Sequence, residues 1–149
     1  MSSKTLPGIT IIEFISADEI ILSPKKFLVP GSTTKAVGEF TKINMVDLAS
    51  CVTTSERTSP GLVYTTKVAG VIYEDENMDG KQQNILSEQF HCYRLTDVYK
   101  NKYLVGIDKK PFPEISFTPS IESAPSGLRA INFEISWVST LPPLELIIL

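Results

Sequence analysis

Between residues 131 and 137 the chain alternates without a break: Ile131, Phe133, Ile135 and Trp137 are apolar, while Asn132, Glu134 and Ser136 are polar. A period of two, with β-branched and aromatic residues on one side, marks a strand that rests one face on a core. A helix would scatter the same residues around its circumference. The pattern therefore predicts a strand pointing those four apolar side chains inward. Residues 62–73 form a second candidate, rich in Val, Tyr, Thr and Ile. Both of its faces carry apolar residues, which predicts a central or twice-covered strand. Gly70 inside it marks a bulge or a close approach.

Shorter strands are expected over residues 9–15, 19–22, 26–29, 40–48, 91–96, 102–107, 114–118 and 144–148. Turn chemistry separates them, at Ser23-Pro24, Pro30-Gly31, Ser59-Pro60-Gly61, Lys110-Pro111 and Pro142-Pro143. The chain has 10 prolines, and their scatter over these joins opposes long helices. Residues 53–61 and 119–127 read as loops. Only residues 81–90 break the pattern: Ile85, Leu86 and Phe90 share one helical face, with Asp79 placed as an N-cap. The alternative there is a hairpin turning at Asp79-Gly80. The expected fold is mainly β: a single domain over residues 1–149, an antiparallel β-sandwich or partly closed barrel, with one short helix at residues 81–90.

Composition narrows the function classes. At 149 residues, 42% hydrophobic and 21% charged, the chain is one globular domain and too apolar for disorder. It carries 14 basic and 17 acidic residues, net −3, and no Lys/Arg run exceeds two residues. A nucleic-acid binder needs a basic stripe to neutralise phosphates, so no nucleic-acid partner is expected. No apolar run approaches the ~20 residues of a membrane helix, and the first residues lack a signal-peptide pattern. Cytoplasmic synthesis, with no membrane partner, is the expectation. Cys51 and Cys92, the only cysteines, are expected to be reduced and partly buried.

The sharpest local motif is Asp75-Glu76-Asn77-Met78-Asp79-Gly80. Asp75, Asn77 and Asp79 match the first three side-chain ligands of a calcium loop, and Gly80 matches its turn glycine. The closing bidentate Glu is missing, since Leu86 stands at that position, and an acidic hairpin loop without metal is expected. His91 beside Cys92, with Cys51 distant, is a poor zinc set, and a partly exposed strand histidine is expected. Nucleophile-elbow and phosphate-loop motifs are absent, so no catalytic residue, cofactor or enzymatic activity is expected. Tyr93, Tyr99, Tyr103 and Phe112 are of the type that lines a carbohydrate or peptide groove. Pairing of the strands bearing Tyr93 and Tyr103 explains those two without a ligand.

Residues 93–106, Tyr93-Arg94-Leu95-Thr96-Asp97 followed by Val98 to Gly106, read as a hairpin. Asp97 opens its turn at Lys100-Asn101, and Asn101 tolerates positive φ. With Pro111-Phe112-Pro113 and the strand to Thr118, this stretch resembles a group of small proteins of unknown function encoded among prophage and phage-tail-like structural genes. The shared pattern is RLTD, turn, Asn, aromatic-Leu-Val-Gly, short loop, Pro, strand, with Leu141-Pro142-Pro143 in the corresponding C-terminal place. The match is sharp over residues 94–118 and departs at Lys100, where Gly is expected. The resemblance implies a component of a tail or virion-like assembly.

The expected function is thus a non-enzymatic structural or assembly subunit acting through protein–protein contacts, including self-association. The runner-up is a β-sandwich module for a carbohydrate or peptide. Residues 144–149 are apolar apart from Glu145, so they either add a strand to their own sheet or dock on a neighbour. Pro142-Pro143 would hold the segment stiffly away from the preceding strand, which favours the neighbour, with Leu144, Leu146 and Ile148 as the interface.

Overall fold

The alternation at residues 131–137 does form a strand, and the computed structural model places it near the middle of one layer. The structure describes residues 2–23, 33–43, 45–74, 86, 90–123 and 129–146. Its strands in chain order are β1 (Ser2–Thr5), β2 (Ile9–Ser16), β3 (Ile21–Ser23), β4 (Thr33–Val37), β5 (Thr41–Ile43) and β6 (Met45–Thr58). They continue as β7 (Gly61–Glu74), β8 (His91–Asp97), β9 (Lys102–Val105), β10 (Glu114–Ser123), β11 (Arg129–Ser139) and β12 (Leu144–Leu146). These 12 strands form one hydrogen-bonded sheet in the order β10-β11-β7-β6-β2-β8-β9-β12-β4-β3, with β1 on β6 and β5 on β2. The sheet folds over into a sandwich and does not close into a barrel.

One layer contains β10, β11, β7, β6 and β1, all antiparallel. The other contains β5, β2, β8, β9, β12, β4 and β3, where only β12 and β4 run parallel. Among the described strands the chain changes layer five times, and two of these crossings lie side by side. After β1 it passes through Pro7-Gly8 into β2, and after β5 it passes back into β6. The pairing of Ile9 with Ala49 ties the two crossings together. β6 breaks register between Val46 and Ser50, and Asp47 there has φ 63°. Its carboxylate accepts the Leu48 N–H at 3.1 Å, which is how an Asp holds a left-handed conformation.

The main core lies between the layers. Ile131, Phe133, Ile135 and Trp137 of β11 are all buried, and Asn132 and Glu134 are exposed, as the alternation requires. Ile12, Phe14, Tyr93, Leu95 and Val105 meet them from the opposite layer. Trp137 is fully buried, and its indole N–H donates to the Pro111 carbonyl at 3.0 Å. β7 is central, between β6 and β11, but its outer face is open, with Lys67 and Ala69 exposed. Gly70 faces the core opposite Phe133, where a Cβ would come within 2.7 Å of the ring. The aromatic ring fills the space that the glycine leaves.

The strand covered on both faces is β8. A second cluster behind it joins Ile15, Ala17, Ile20, Leu22, Cys92, Leu104 and Leu144. On that face Arg94 pairs with Glu13 through Nε at 3.0 Å and Nη2 at 2.7 Å, and its guanidinium lies 4.0 Å from the Phe40 ring centre.

Several expectations need correction. Residues 53–58 are strand, not loop, because they pair along β7 to a tight turn at Ser59-Pro60. Thr53, Thr54 and Thr58 are β-branched and suit a strand despite their polarity. Residues 119–123 likewise continue β10, past a register break between Pro119 and Ser123. β1 and β4 carry no strong alternation and were not foreseen. Leu144 does not await a neighbour: β12 inserts between β9 and β4, and Leu144 is 1% exposed in the second cluster. Pro142-Pro143 turns the chain into its own sheet, and Leu146 packs against the same cluster. Ile148 lies outside the described residues, as do residues 26–29. In the 81–90 span Leu86 is helical and buried and Phe90 is exposed, while the other residues lie outside the description.

Replacing Trp137 by Ala removes the largest buried side chain and the partner of the Pro111 carbonyl. Chemical denaturation is expected to show a loss of about 3–5 kcal/mol. The native protein should emit blue-shifted tryptophan fluorescence that moves to the red on unfolding.

Candidate functional site

The inward face of β6 changes character along its length. Ala49 and Cys51 are apolar and buried, then Thr53 is buried and Ser55 half-buried. The facing strand does the same: Ile72 and Val68 give way to Thr66, Tyr64 and Leu62. Thr53 and Thr66 hydroxyls meet at 3.2 Å and satisfy each other where the core ends. Beyond that pair the β6–β7 hairpin overhangs the opposite layer, and a cleft of about 540 Å³ opens.

β1 forms one side of it, with Ser3, Lys4 and the following Leu6. Ser55, Leu62 and Tyr64 form the floor, and Tyr103, Pro142, Pro143 and Glu145 form the wall from the other layer. A smaller hollow of about 160 Å³ continues past Tyr103 and Glu145 to Asn101, Lys102 and Leu146. Both volumes together are in the range of ordinary ligand sites.

The wall is positioned by the turn that follows β8. Asp97 is 1% exposed, and one carboxylate oxygen accepts the N–H groups of Tyr99 and Asn101, each at 2.9 Å. The Tyr103 hydroxyl donates to the other oxygen at 3.2 Å. Burial and the Asp97 charge, with Glu145 adding, raise the Tyr103 pKa, so the phenol stays neutral and committed to Asp97. The left-handed residue of this turn is Lys100, φ 67°, and not Asn101. Lys100 therefore holds a positive φ that glycine adopts most readily. Gly106, φ 96°, ends β9, and a Cβ there would lie 2.6 Å from the Pro113 ring. Gly106 and Pro113 thus pack on each other.

The aromatic residues singled out in the sequence do not converge. Tyr93 is buried in the main core, Tyr99 is 74% exposed on the turn, and Phe112 stacks on Phe90 with centroids 5.0 Å apart. Tyr93 and Tyr103 do lie on paired strands, offset by two residues. Only Tyr103 reaches the cleft. Its companions Tyr64, Lys4 and Glu145 were not foreseen as site residues. The signal available was the run of hydroxyls, Thr53, Ser55 and Thr66, at positions whose parity points inward.

The cleft's side chains are hydroxyls, two phenols, apolar walls, one ammonium and one carboxylate. His91 is buried instead of partly exposed, edge-on to Phe14 with centroids 5.3 Å apart. Among the described residues no group of three or more His, Cys, Asp or Glu side chains could hold a metal. Asp75, Asn77 and Asp79 lie outside the described residues. Cys51 and Cys92 are free and fully buried, not partly, and they sit in different core clusters. No family model, no curated protein and no solved structure matches the chain.

Asp97→Ala strips partners from two backbone N–H groups and one phenol. Thermal or urea unfolding should register a loss of about 2–3 kcal/mol, whereas Lys100→Gly should change stability by less than about 1 kcal/mol. Burial pushes the Cys51 thiol from 9.0 up to about 12. Burial, with the Asp108 charge adding, does the same for Cys92. In the unfolded chain these thiols ionise first, so their contribution to stability is complete below pH 9.0 and is lost as pH rises toward about 12. Both should resist a thiol reagent in the native protein and react once it is denatured without reductant.

Proposed function

We propose that the chain is a non-enzymatic assembly subunit acting through protein–protein contacts, of the phage-tail-like kind that residues 94–118 resemble. The observation that carries this reading is the outer face of the layer built on β6, β7 and β11. The register aligns Thr54, Thr65 and Val138 in one row and Val52, Lys67 and Ser136 in the next. Ser50, Ala69 and Glu134 make a third row, and Val71 lies beside Asn132. Val138 is half exposed, and nearly every side chain in the patch is short. An antiparallel sheet ordinarily turns a charged, long-chained face to water. A short-chained face of Val, Thr, Ser and Ala, hollowed along Ser50, Ala69, Val71 and Asn132, instead suits packing by a second sheet at about 10 Å. Lys67 and Glu134 give a second copy a complementary pair across a two-fold axis.

A second reading, a ligand-binding module for a carbohydrate or peptide, is favoured by the cleft at the end of the sandwich. Both readings share the prediction that the chain works by surface recognition.

Light scattering over micromolar to millimolar concentration tests the first. Self-association is expected, and Thr65→Lys combined with Val138→Lys should return the protein to a monomer with an unchanged circular dichroism spectrum. A wild-type chain that stays monomeric throughout that range would remove the support for self-assembly.

A further inference from the structure

An exposed strand edge is a row of unpaired N–H and C=O groups, and proteins blunt such edges. In this chain the outer edge of β10 carries Pro119 and a register break, and β3 and β5 are three residues each. β1 is also short, at four residues, and carries Lys4, but it has neither a proline nor a register break. It pairs with β6 alone among the described strands. Leu6 N–H donates to the Cys51 carbonyl at 3.0 Å, so in the antiparallel alternation Ser2 and Lys4 share that side and bond to β6. Ser3 and Thr5 then direct their N–H and C=O groups away from β6, to the open edge. That edge borders the cleft, because Ser3 and Lys4 line it.

We propose that the cleft is a docking groove for an extended segment of a partner protein, which adds as a strand to β1 and sets an acidic residue against Lys4 and a basic residue against Glu145. The inference rests on the second reading above, that the cleft is a ligand site, and specifies its occupant. β1 offers about 13 Å of edge, at about 3.3 Å per residue, enough for a four-residue register. Main-chain bonds to Ser3 and Thr5 supply affinity. Alternate side chains of the segment drop toward Leu6, Pro142 and Pro143, and the opposed charges of Lys4 and Glu145 fix its direction. A sugar is the poorer occupant. The main cleft contains no Asn, Gln, Asp or Arg, and the adjoining hollow adds only Asn101, so sugar hydroxyl pairs find few amide or carboxylate groups to grip.

The test is selection of a random decapeptide display library on the full chain, with the recovered sequences made as free peptides and titrated by fluorescence polarisation. An acid and a base at constant spacing are expected, with binding abolished by N-methylation at alternate residues. Ser3→Pro removes the free donor while sparing the ladder to β6, and should weaken binding by about tenfold or more. The double exchange Lys4→Glu with Glu145→Lys should select peptides of reversed charge order. Peptides indifferent to N-methylation, or to Ser3→Pro in a folded protein, would overturn strand addition. A glycan array is run beside the library. Oligosaccharide binding lost in Tyr64→Ala would keep the cleft as a ligand site and overturn the peptide assignment. Silence in both screens would overturn the ligand-site reading itself.

Discussion

The two adjacent crossings between layers, from β1 to β2 and from β5 to β6, are the constraint on which the rest of the structure depends. A sheet of this width has an apolar face that must leave water, at roughly 25 cal/mol for each Å² buried. Folding the sheet over does this without a helical layer, but the backbone must change layer without losing its hydrogen bonds. β1 and β2 solve this by behaving as one strand bent at Pro7-Gly8. The Gly8 carbonyl accepts the Val98 N–H at 3.0 Å, and Leu6 N–H bonds back to Cys51. The second crossing, from β5 to β6, lies alongside and is held by Ile9 on Ala49. The two bends together set where one layer stops covering the other.

The cleft follows from that geometry. β1 stays with the β6–β7 hairpin while the rest of the N-terminal segment departs, so the hairpin extends past the layer it packs against. Its inward positions there can no longer be dry, and the residues change accordingly from Val68 and Cys51 to Thr66, Thr53, Ser55 and Tyr64. The same overhang leaves the edge of β1 open beside a concave surface. A concave surface thus arises at the place where the core runs out.

The opposite wall depends on a buried carboxylate. Asp97 organises the turn between β8 and β9 and fixes Tyr103 by the phenol, so that the ring stands at the cleft in one orientation. β8 itself is pinned from both sides, by the main core and by a second cluster that Leu144 helps to close. Inserting β12 between β9 and β4 brings Pro142, Pro143 and Glu145 to the cleft. Burial of Leu144 and construction of the wall are one event.

Local periodicity was sufficient to locate most strands of the core, though not the extent of β6. The alternation of residues 131–137 specified both the strand and the face it turns inward, because side chains on a strand can take only two directions. The hairpin over residues 93–106 was legible for a similar reason: turn residues and flanking strands lie within reach of one another. What the sequence could not determine was partnership. Whether residues 144–146 joined their own sheet or another, which strand had two covered faces, and where Tyr64 met Tyr103 all depend on contacts between residues far apart in the chain. Polar residues at 53–58 read as a loop because composition reports local solvation, whereas their hydrogen bonds go to a strand that only the folded hairpin supplies. Residue order therefore determined most core strands and their faces, and tertiary structure decided which edges were paired and which were left open among the described strands, because edge pairing is a long-range contact with no local signature.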